Sequence, residues 1–326
     1  MNYLLRRLGF YLIAALLAIV INFFLPRMMA GDPVDVMLAG FDTSSLTPEA
    51  IDQLREAFGF IDAPLPEQFA TYVSNLLKGN FGVSVARYPT KVVDILGVAL
   101  RWTLLMTGTA LILTFSVGVL LGIQAAWKRG GFVDTYVLPF GAIMGAIPYF
   151  WVALIALYVF ALQLGWFPLG RAEASGIPAD WTNPNYVMGV VYHLALPVLT
   201  LLIAGFRSWM MGMRNNMVAV IAQDYITMAI AKGLPDRRIK YQYAARNAIL
   251  PSLTGFALAL GFLLGGSLLT EVVFSYPGVG LTLLNAVNTR DYPVMQGIFL
   301  ILTLMVLLAN FIADSLYILL DPRTRS

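Results

Sequence analysis

Residues 224–251, DYITMAIAKGLPDRRIKYQYAARNAILP, form a polar and strongly basic segment between two long apolar ones. Apolar side chains recur at helical spacing over residues 225–230, and Asp224 lies in the first turn, where a carboxylate stabilises a helix. Gly233 and Pro235 are expected to end or bend this helix, with a bend or a positive φ at Gly233. A second helical run then leads into the next apolar segment. Two such helices on one face of a membrane would make a docking surface for another protein, whereas an ordinary basic cytoplasmic loop is the simpler alternative.

The composition is that of a membrane protein. Of the 326 residues, 59% are hydrophobic and only 12% are charged, and the mean hydropathy is +0.76. Soluble domains contain about 25% charged residues, so most of this chain is expected to lie in lipid. The net charge of +3 comes from basic residues in loops and does not indicate a nucleic-acid partner.

Several kinds of chemistry find no support in the residues present. The absence of cysteine rules out disulfides, thiolate metal sites and cysteine nucleophiles. One histidine, His193, gives no indication of a metal site or a catalytic triad. No lysine is followed by serine or threonine, so the chain lacks a phosphate-binding loop of the Walker type. If ATP drives this protein, another subunit must bind ATP and Mg²⁺ and hydrolyse the nucleotide.

The sequence predicts six membrane spans, because about 20 apolar residues cross a bilayer. The first could instead be a signal peptide, but it is long for one and lacks a clear cleavage site, so a retained span is expected. The six apolar segments are residues 8–25, 99–126, 134–162, 186–210, 250–270 and 293–320. Pro139, Pro148 and Pro197 are expected to interrupt the third and fourth spans. Gly118 and Gly122 lie four apart, as in helices whose backbones approach closely.

The distribution of charge predicts the orientation. Residues 31–98 contain nine acids and four bases, a net charge of −5, whereas residues 213–248 contain six bases and two acids, a net charge of +4. Positive loops stay in the cytoplasm, so both termini are expected there and residues 31–98 outside. This external region is predicted to be a small helical subdomain. One helix begins at Thr47 and Pro48, and an amphipathic helix covers residues 66–77.

Charged residues are scarce in the predicted spans. Arg101, Arg207 and Glu271 lie at their ends, where long side chains can reach the interface. Asp314 lies deeper, so it is a functional candidate, with a structural hydrogen bond to a neighbouring helix as the alternative. A proton-coupled secondary transporter would need more buried acids or histidines than this. A membrane enzyme would need a nucleophile, a metal or an acid–base cluster, and the sequence contains no such cluster.

The 224–251 segment resembles the EAA loop of ABC importer permeases. Ala229, Gly233, Leu250 and Pro251 occupy the positions of that motif, whereas Thr227 stands where its leading glutamate would be, so no salt bridge is expected from that position. The pair DYITMAIAKGL and ARNAILP is similar to the peptide/nickel-type permeases in particular.

Further motifs extend this resemblance over nearly the whole chain. In the segment GNFGVS, Asn80 replaces the usual aspartate of the family motif. In EVVFSYPGVG, Tyr276 replaces the usual tryptophan. The matching segments are Gly-Asp-Pro at 31–33, GNFGVS at 79–84, EVVFSYPGVG at 271–280, RDYP at 290–293 and Asp-Pro-Arg at 321–323.

The resemblance implies an all-α membrane protein with the type I ABC importer permease fold. It divides the chain into residues 1–30 with the first span, an extracytoplasmic insertion at 31–98, and a permease domain at 99–326. The expected assembly contains a second homologous permease, two ABC ATPase domains and an extracytoplasmic solute-binding protein, in a bacterial or archaeal cytoplasmic membrane. Peptides are the expected cargo, with oligosaccharides and nickel complexes as alternatives. No cofactor or metal is expected in this chain.

The resemblance also assigns roles to residues. A short helix around residues 224–231 would sit in a cleft of the ATPase, and the coupling residues are Asp224, Thr227, Ala229, Ala231, Gly233, Asp236, Arg237, Arg238 and Arg246. A second set is expected to dock the binding protein or to form an external gate, and comprises Glu271, Phe274, Tyr276, Pro277 and Gly278.

Overall fold

The computed structural model describes residues 2–24, 28, 63–263 and 268–320. Within these residues every regular element is helical, which confirms the prediction of an all-α protein. The helices are α1 (Asn2–Phe24), α2 (Leu65–Leu77), α3 (Val92–Trp127), α4 (π-helical Val133–Val137 and α-helical Leu138–Ala146), α5 (Tyr149–Ala156 and π-helical Leu157–Gln163), α6 (Pro184–Ile221), α7 (Asp224–Ala231), α8 (Asp236–Arg238, π-helical Ile239–Ala245 and Arg246–Ala248), α9 (Leu250–Phe262), α10 (Leu268–Val273), α11 (Val279–Asn288) and α12 (Tyr292–Leu320).

Four of the described helices are long and apolar enough to cross a membrane, namely α1, α3, α6 and α12. The α4–α5 pair passes the same test together but is bent by 98°, and α9 is shorter than a full span. The fifth predicted span includes residues 264–267, which lie outside the described residues. The chain is therefore a multi-pass protein by the length and composition of its helices, and the count of six spans stays a prediction.

One predicted helix and two of the sequence motifs fall in parts of the chain that the structure does not describe, and one predicted helix of the external region is described. The helix predicted to begin at Thr47, the Gly-Asp-Pro motif at residues 31–33 and the terminal motif at residues 321–323 lie outside the described residues. The amphipathic helix predicted for residues 66–77 is confirmed as α2.

Only some of the predicted proline interruptions are present. Ile147 is extended, with φ −83° and ψ 131°, and Pro148 directly precedes α5. The 98° bend therefore lies at Ile147, because a proline disfavours the helical conformation of the residue before it. Pro197, by contrast, is buried inside the unbroken helix α6. The predicted interruption at Pro197 is thus wrong, because a long helix packed against its neighbours tolerates one missing backbone donor.

Helix α6 also runs past the predicted end of the fourth span at Met210, to Ile221. Arg207 therefore lies well inside a helix. A Cβ added to Gly141 would lie 3.3 Å from the Arg207 Cβ, and one added to Gly145 would lie 3.4 Å from the Arg207 Cδ. The Arg207 side chain therefore packs over these two glycines of α4.

The helices fall into two compact units. The first comprises Met1–Thr103, Leu264–Leu268 and Pro277–Ser326. In it, α1 packs along α12 and is joined to it by hydrogen bonds in both directions between Asn22 and Gln296, of 2.8 and 3.1 Å. Asn22 also donates to the Tyr72 hydroxyl at 2.9 Å, which ties α2 to the end of α1.

Two distant motifs meet in this first unit. Asp291 is only 3% exposed, and its carboxylate accepts hydrogen bonds from the Ser84 hydroxyl and from the backbone N–H groups of Val85 and Ala86. The same carboxylate accepts from the Val294 N–H at 3.4 Å, so it also caps the start of α12. The GNFGVS and RDYP motifs are therefore two halves of one structural clamp.

We expect Asp291→Asn to lower the free energy of unfolding by about 2 kcal/mol, because the amide nitrogen cannot accept from the donors that face it. Thermal unfolding of the detergent-solubilised chain measures this. Asp180→Asn is the matched control, since Asp180 is exposed and bonds only within its own turn, to Thr182. Equal unfolding temperatures for Asp291→Asn and the unmodified chain would refute the clamp.

The second unit comprises Leu104–Leu263 and Leu269–Tyr276. In it, α3 and α6 approach closely at the predicted glycine pair. A Cβ on Gly118 would lie 2.6 Å from the Phe206 carbonyl oxygen, and one on Gly122 would lie 2.5 Å from the Met210 carbonyl oxygen. These glycines are required for the contact. An ion pair of 2.9 Å between Arg214 and Asp134 joins α6 to α4.

Candidate functional site

The end of α7 is built around Gly233. The Gly233 N–H bonds to the Ile230 carbonyl at 2.9 Å, and the Leu234 N–H bonds to the Ala229 carbonyl at 3.3 Å. These two bonds form a Schellman motif, which requires a left-handed residue after the helix. Gly233 has φ +69°, and this confirms the expected positive φ.

One face of α7 and α8 is packed against the ends of α3 and α6. Ile226 and Ala229 of α7 are buried in a cluster with Ile123 of α3 and with Met213 and Met217 of α6. The cluster also includes residues of α8 and is flanked by Leu234. The basic segment is therefore a fixed platform on two long helices and not a flexible loop.

Three apolar side chains of α7 are exposed at positions around the rest of the helix. The exposed fractions of Tyr225, Met228 and Ile230 are 40%, 59% and 59%. Arg237 and Arg238, both exposed, follow at the start of α8. Exposed apolar residues grouped beside charged ones are typical of a surface that binds another protein.

The structure places the predicted coupling residues on both sides of this platform. Ala229 is buried and serves packing. The others are all exposed, and they are Asp224, Thr227, Ala231, Gly233, Asp236, Arg237, Arg238 and Arg246.

A buried lysine connects the platform to α3. The sequence pattern did not indicate this contact. Lys240, counted there as a loop base, is only 7% exposed, and its Nζ donates to Oε1 of Gln124. The amide of Gln124 donates in turn to the Tyr241 hydroxyl at 3.2 Å, and Lys240 lies 5.1 Å from the centre of the Tyr241 ring. On the other side, Asn247 of α8 donates to the Tyr225 hydroxyl at 3.0 Å, which joins α8 to α7.

The second predicted site, residues 271–280, is mostly interior. Glu271, Phe274 and Tyr276 are fully buried, as is Gly278, whereas Pro277 is half-buried. The Glu271 side chain therefore does not reach the membrane interface, contrary to the expectation from the sequence. A role for these residues in docking or gating stays a prediction. Within the isolated chain, their buried side chains pack beneath the turn that they form.

The environment of Tyr276 reflects this burial. Desolvation raises the pKa of the Tyr276 hydroxyl well above its usual range, and the nearby charge of Glu271 and the Tyr186 hydroxyl raise it further. Tyr186 itself donates to Glu173 at 2.5 Å. The Tyr276 hydroxyl therefore stays neutral at physiological pH.

Asp314, the intramembrane candidate, lies in α12, but its side chain is outside the described part of the structure. Among the residues that the structure describes, no group of three His, Asp or Glu side chains could hold a metal ion.

Comparison with known proteins agrees with this architecture. Residues 118–326 match the family model described as "Binding-protein-dependent transport system inner membrane component". The chain is 34% identical to a probable peptide ABC transporter permease protein of Sinorhizobium fredii, over 99% of both chains. It is 34% identical to the di/tripeptide transport system permease protein DppB of Pseudomonas aeruginosa, over 100% of this chain and 99% of the other. It is 32% identical to the oligopeptide transport system permease protein AppB of Bacillus subtilis, over 93% of each. The chain therefore belongs to the family of inner-membrane permease components of binding-protein-dependent ABC transport systems.

Proposed function

We propose that this chain forms half of the translocation pore of an ATP-driven importer for peptides delivered by an extracytoplasmic binding protein. The observation that carries the proposal is the platform of α7 and α8, which combines exposed apolar side chains on α7 with a tightly packed base. The relatives named as peptide permeases support peptides as the cargo. Oligosaccharides and nickel complexes are the alternative cargoes.

In this mechanism α7 sits in a cleft of a partner ATPase, with Tyr225, Met228 and Ile230 as apolar anchors. Arg237 and Arg238 pair with acids on the ATPase. Closure of the ATPase dimer around ATP moves α7. Because the buried cluster joins α7 to α3 and α6, these helices move with α7 as one rigid body. The Lys240–Gln124 contact is a second connection to α3. ATP and Mg²⁺ are bound by the ATPase subunits.

The partner ATPase requires the platform to face the cytoplasm. The sequence has no cysteine, so single cysteines can be introduced at Ser74 of α2 and Gln242 of α8, both exposed. We expect an impermeant maleimide to label Ser74→Cys but not Gln242→Cys in spheroplasts. The reverse pattern would overturn the orientation.

The proposal is tested by purifying the tagged chain from its native membrane in mild detergent. The unmodified chain should bring with it a second permease and the ATPase subunits. Met228→Glu should retain the second permease but lose most of the ATPase, because it buries a charge in an apolar contact. Gln163→Glu, an equal charge change at the exposed end of α5, is the control. Full recovery of the ATPase with Met228→Glu would remove α7 from its role.

A further inference from the structure

A pocket of about 430 Å³ lies between α6 and α9. Its size is within the range of small-molecule sites. None of its lining residues in the described part of the chain carries a charge. They include Ser208, Trp209, Gly212 and Asn216 of α6 with Ser252 and Gly255 of α9.

The apolar wall of the pocket is held by aromatic packing. The Trp209 ring lies edge-on to Phe115 with a centroid distance of 5.2 Å, and Phe256 lies 6.5 Å away. A Cβ on Gly255 would be in ordinary contact, 3.5 Å, with the same indole ring. Gly255 thus lies against the indole, and the aromatic contacts of Trp209 hold this wall in position.

Two polar side chains of the pocket keep their hydrogen-bonding capacity. In the described residues, neither the Asn216 amide nor the Ser252 hydroxyl bonds to another protein group, although Ser252 is only 7% exposed. The Ser208 hydroxyl, by contrast, donates to the Gly205 carbonyl of its own helix at 3.1 Å. An asparagine amide both donates and accepts, as a peptide unit does. Polar groups beside an apolar wall are the usual make-up of a binding pocket.

We infer that this pocket holds one peptide unit of the cargo during its passage, with Asn216 and Ser252 bonding the main chain and Trp209 in contact with the adjoining side chain. This inference rests on the proposed function. Main-chain groups are common to all peptides, and the pocket offers no charge to select a charged side chain. It therefore holds and aligns the cargo for passage without choosing among sequences, and selection is left to the binding protein.

The test uses the purified complex with its binding protein in proteoliposomes and tri-alanine as the transported probe. No atom lies within 4 Å of a Cβ on Gly212, so Gly212→Leu fills the pocket without displacing its neighbours. Asn216→Leu keeps the volume but removes the hydrogen bonds. Each variant is expected to lower the rate of tri-alanine transport by about tenfold, since bound main-chain groups lose their partners. Gly9→Leu, at an equally open glycine of α1, should transport at the unmodified rate.

The outcomes separate this inference from the proposed function. If the unmodified complex transports tri-alanine and both pocket variants transport it equally fast, the pocket is not on the path and the inference fails alone. If the unmodified complex transports maltotriose and not tri-alanine, the proposed cargo is wrong and the inference fails with it. If Gly212→Leu loses the second permease on purification, the pocket is an interface between permeases, and this also overturns the inference.

Discussion

Gly233→Val is expected to abolish uptake while leaving the chain inserted in the membrane. Gly233 has φ +69°, and no atom lies within 4 Å of the position that a Cβ would take, so the change acts through the backbone and not through a clash. A β-branched residue in this conformation costs about 1–3 kcal/mol. The end of α7 is expected to rearrange. This change would pull Leu234 away from the buried cluster and shift the exposed side chains of α7 that bind the ATPase. Uptake of labelled peptide and the amount of ATPase that copurifies are the measurements.

Gly233→Asn provides the matched comparison. Asparagine adopts the left-handed conformation far more readily than valine, so this variant should keep most of the uptake although it also adds a side chain. If Gly233→Val transports as well as Gly233→Asn, the Schellman ending of α7 has no part in coupling.

The second large effect is expected for Gly122→Leu. Its Cβ alone would lie 2.5 Å from the Met210 carbonyl oxygen and 2.8 Å from the Met213 Cβ. Helices α3 and α6 must move apart to admit the side chain, which is expected to cost about 3 kcal/mol. The buried cluster that supports α7 contains residues of both helices, so the platform is lost as well. We expect little folded chain in the membrane fraction, measured by gel filtration of the solubilised protein.

Gly108→Leu is the control for this change. Gly108 lies in the same helix α3, but a Cβ at this position would have no atom within 4 Å. The variant should accumulate at the unmodified level. Equal accumulation of Gly122→Leu would show that α3 and α6 do not pack through this glycine.

Local features of the platform could be predicted from the sequence because they depend on neighbouring residues. The spacing of apolar residues indicated α7, and Gly233 signalled its left-handed ending. The bend at Pro148 likewise follows from the restriction that proline places on the residue before it. Each of these depends on a few consecutive positions.

Features that depend on long-range packing could not be predicted. Ser84 and Asp291 are 207 residues apart, and nothing in either motif indicates that one bonds the other. Lys240 looked like a solvated loop base, but its partner Gln124 comes from another helix. Hydropathy also placed Arg207 at the end of a span. Hydropathy measures how well a segment fits lipid and not how long its helix is, and the helix that contains Arg207 continues to Ile221.

We propose that cargo is recognised outside the membrane and that α7 couples this recognition to ATP hydrolysis. The direct measurement is ATP hydrolysis by the complex reconstituted in proteoliposomes, with tri-alanine alone, with the binding protein alone and with both together. The binding protein loaded with tri-alanine should stimulate hydrolysis strongly, and tri-alanine alone should not. Strong stimulation by tri-alanine without the binding protein would place the recognition site within the membrane and contradict the account.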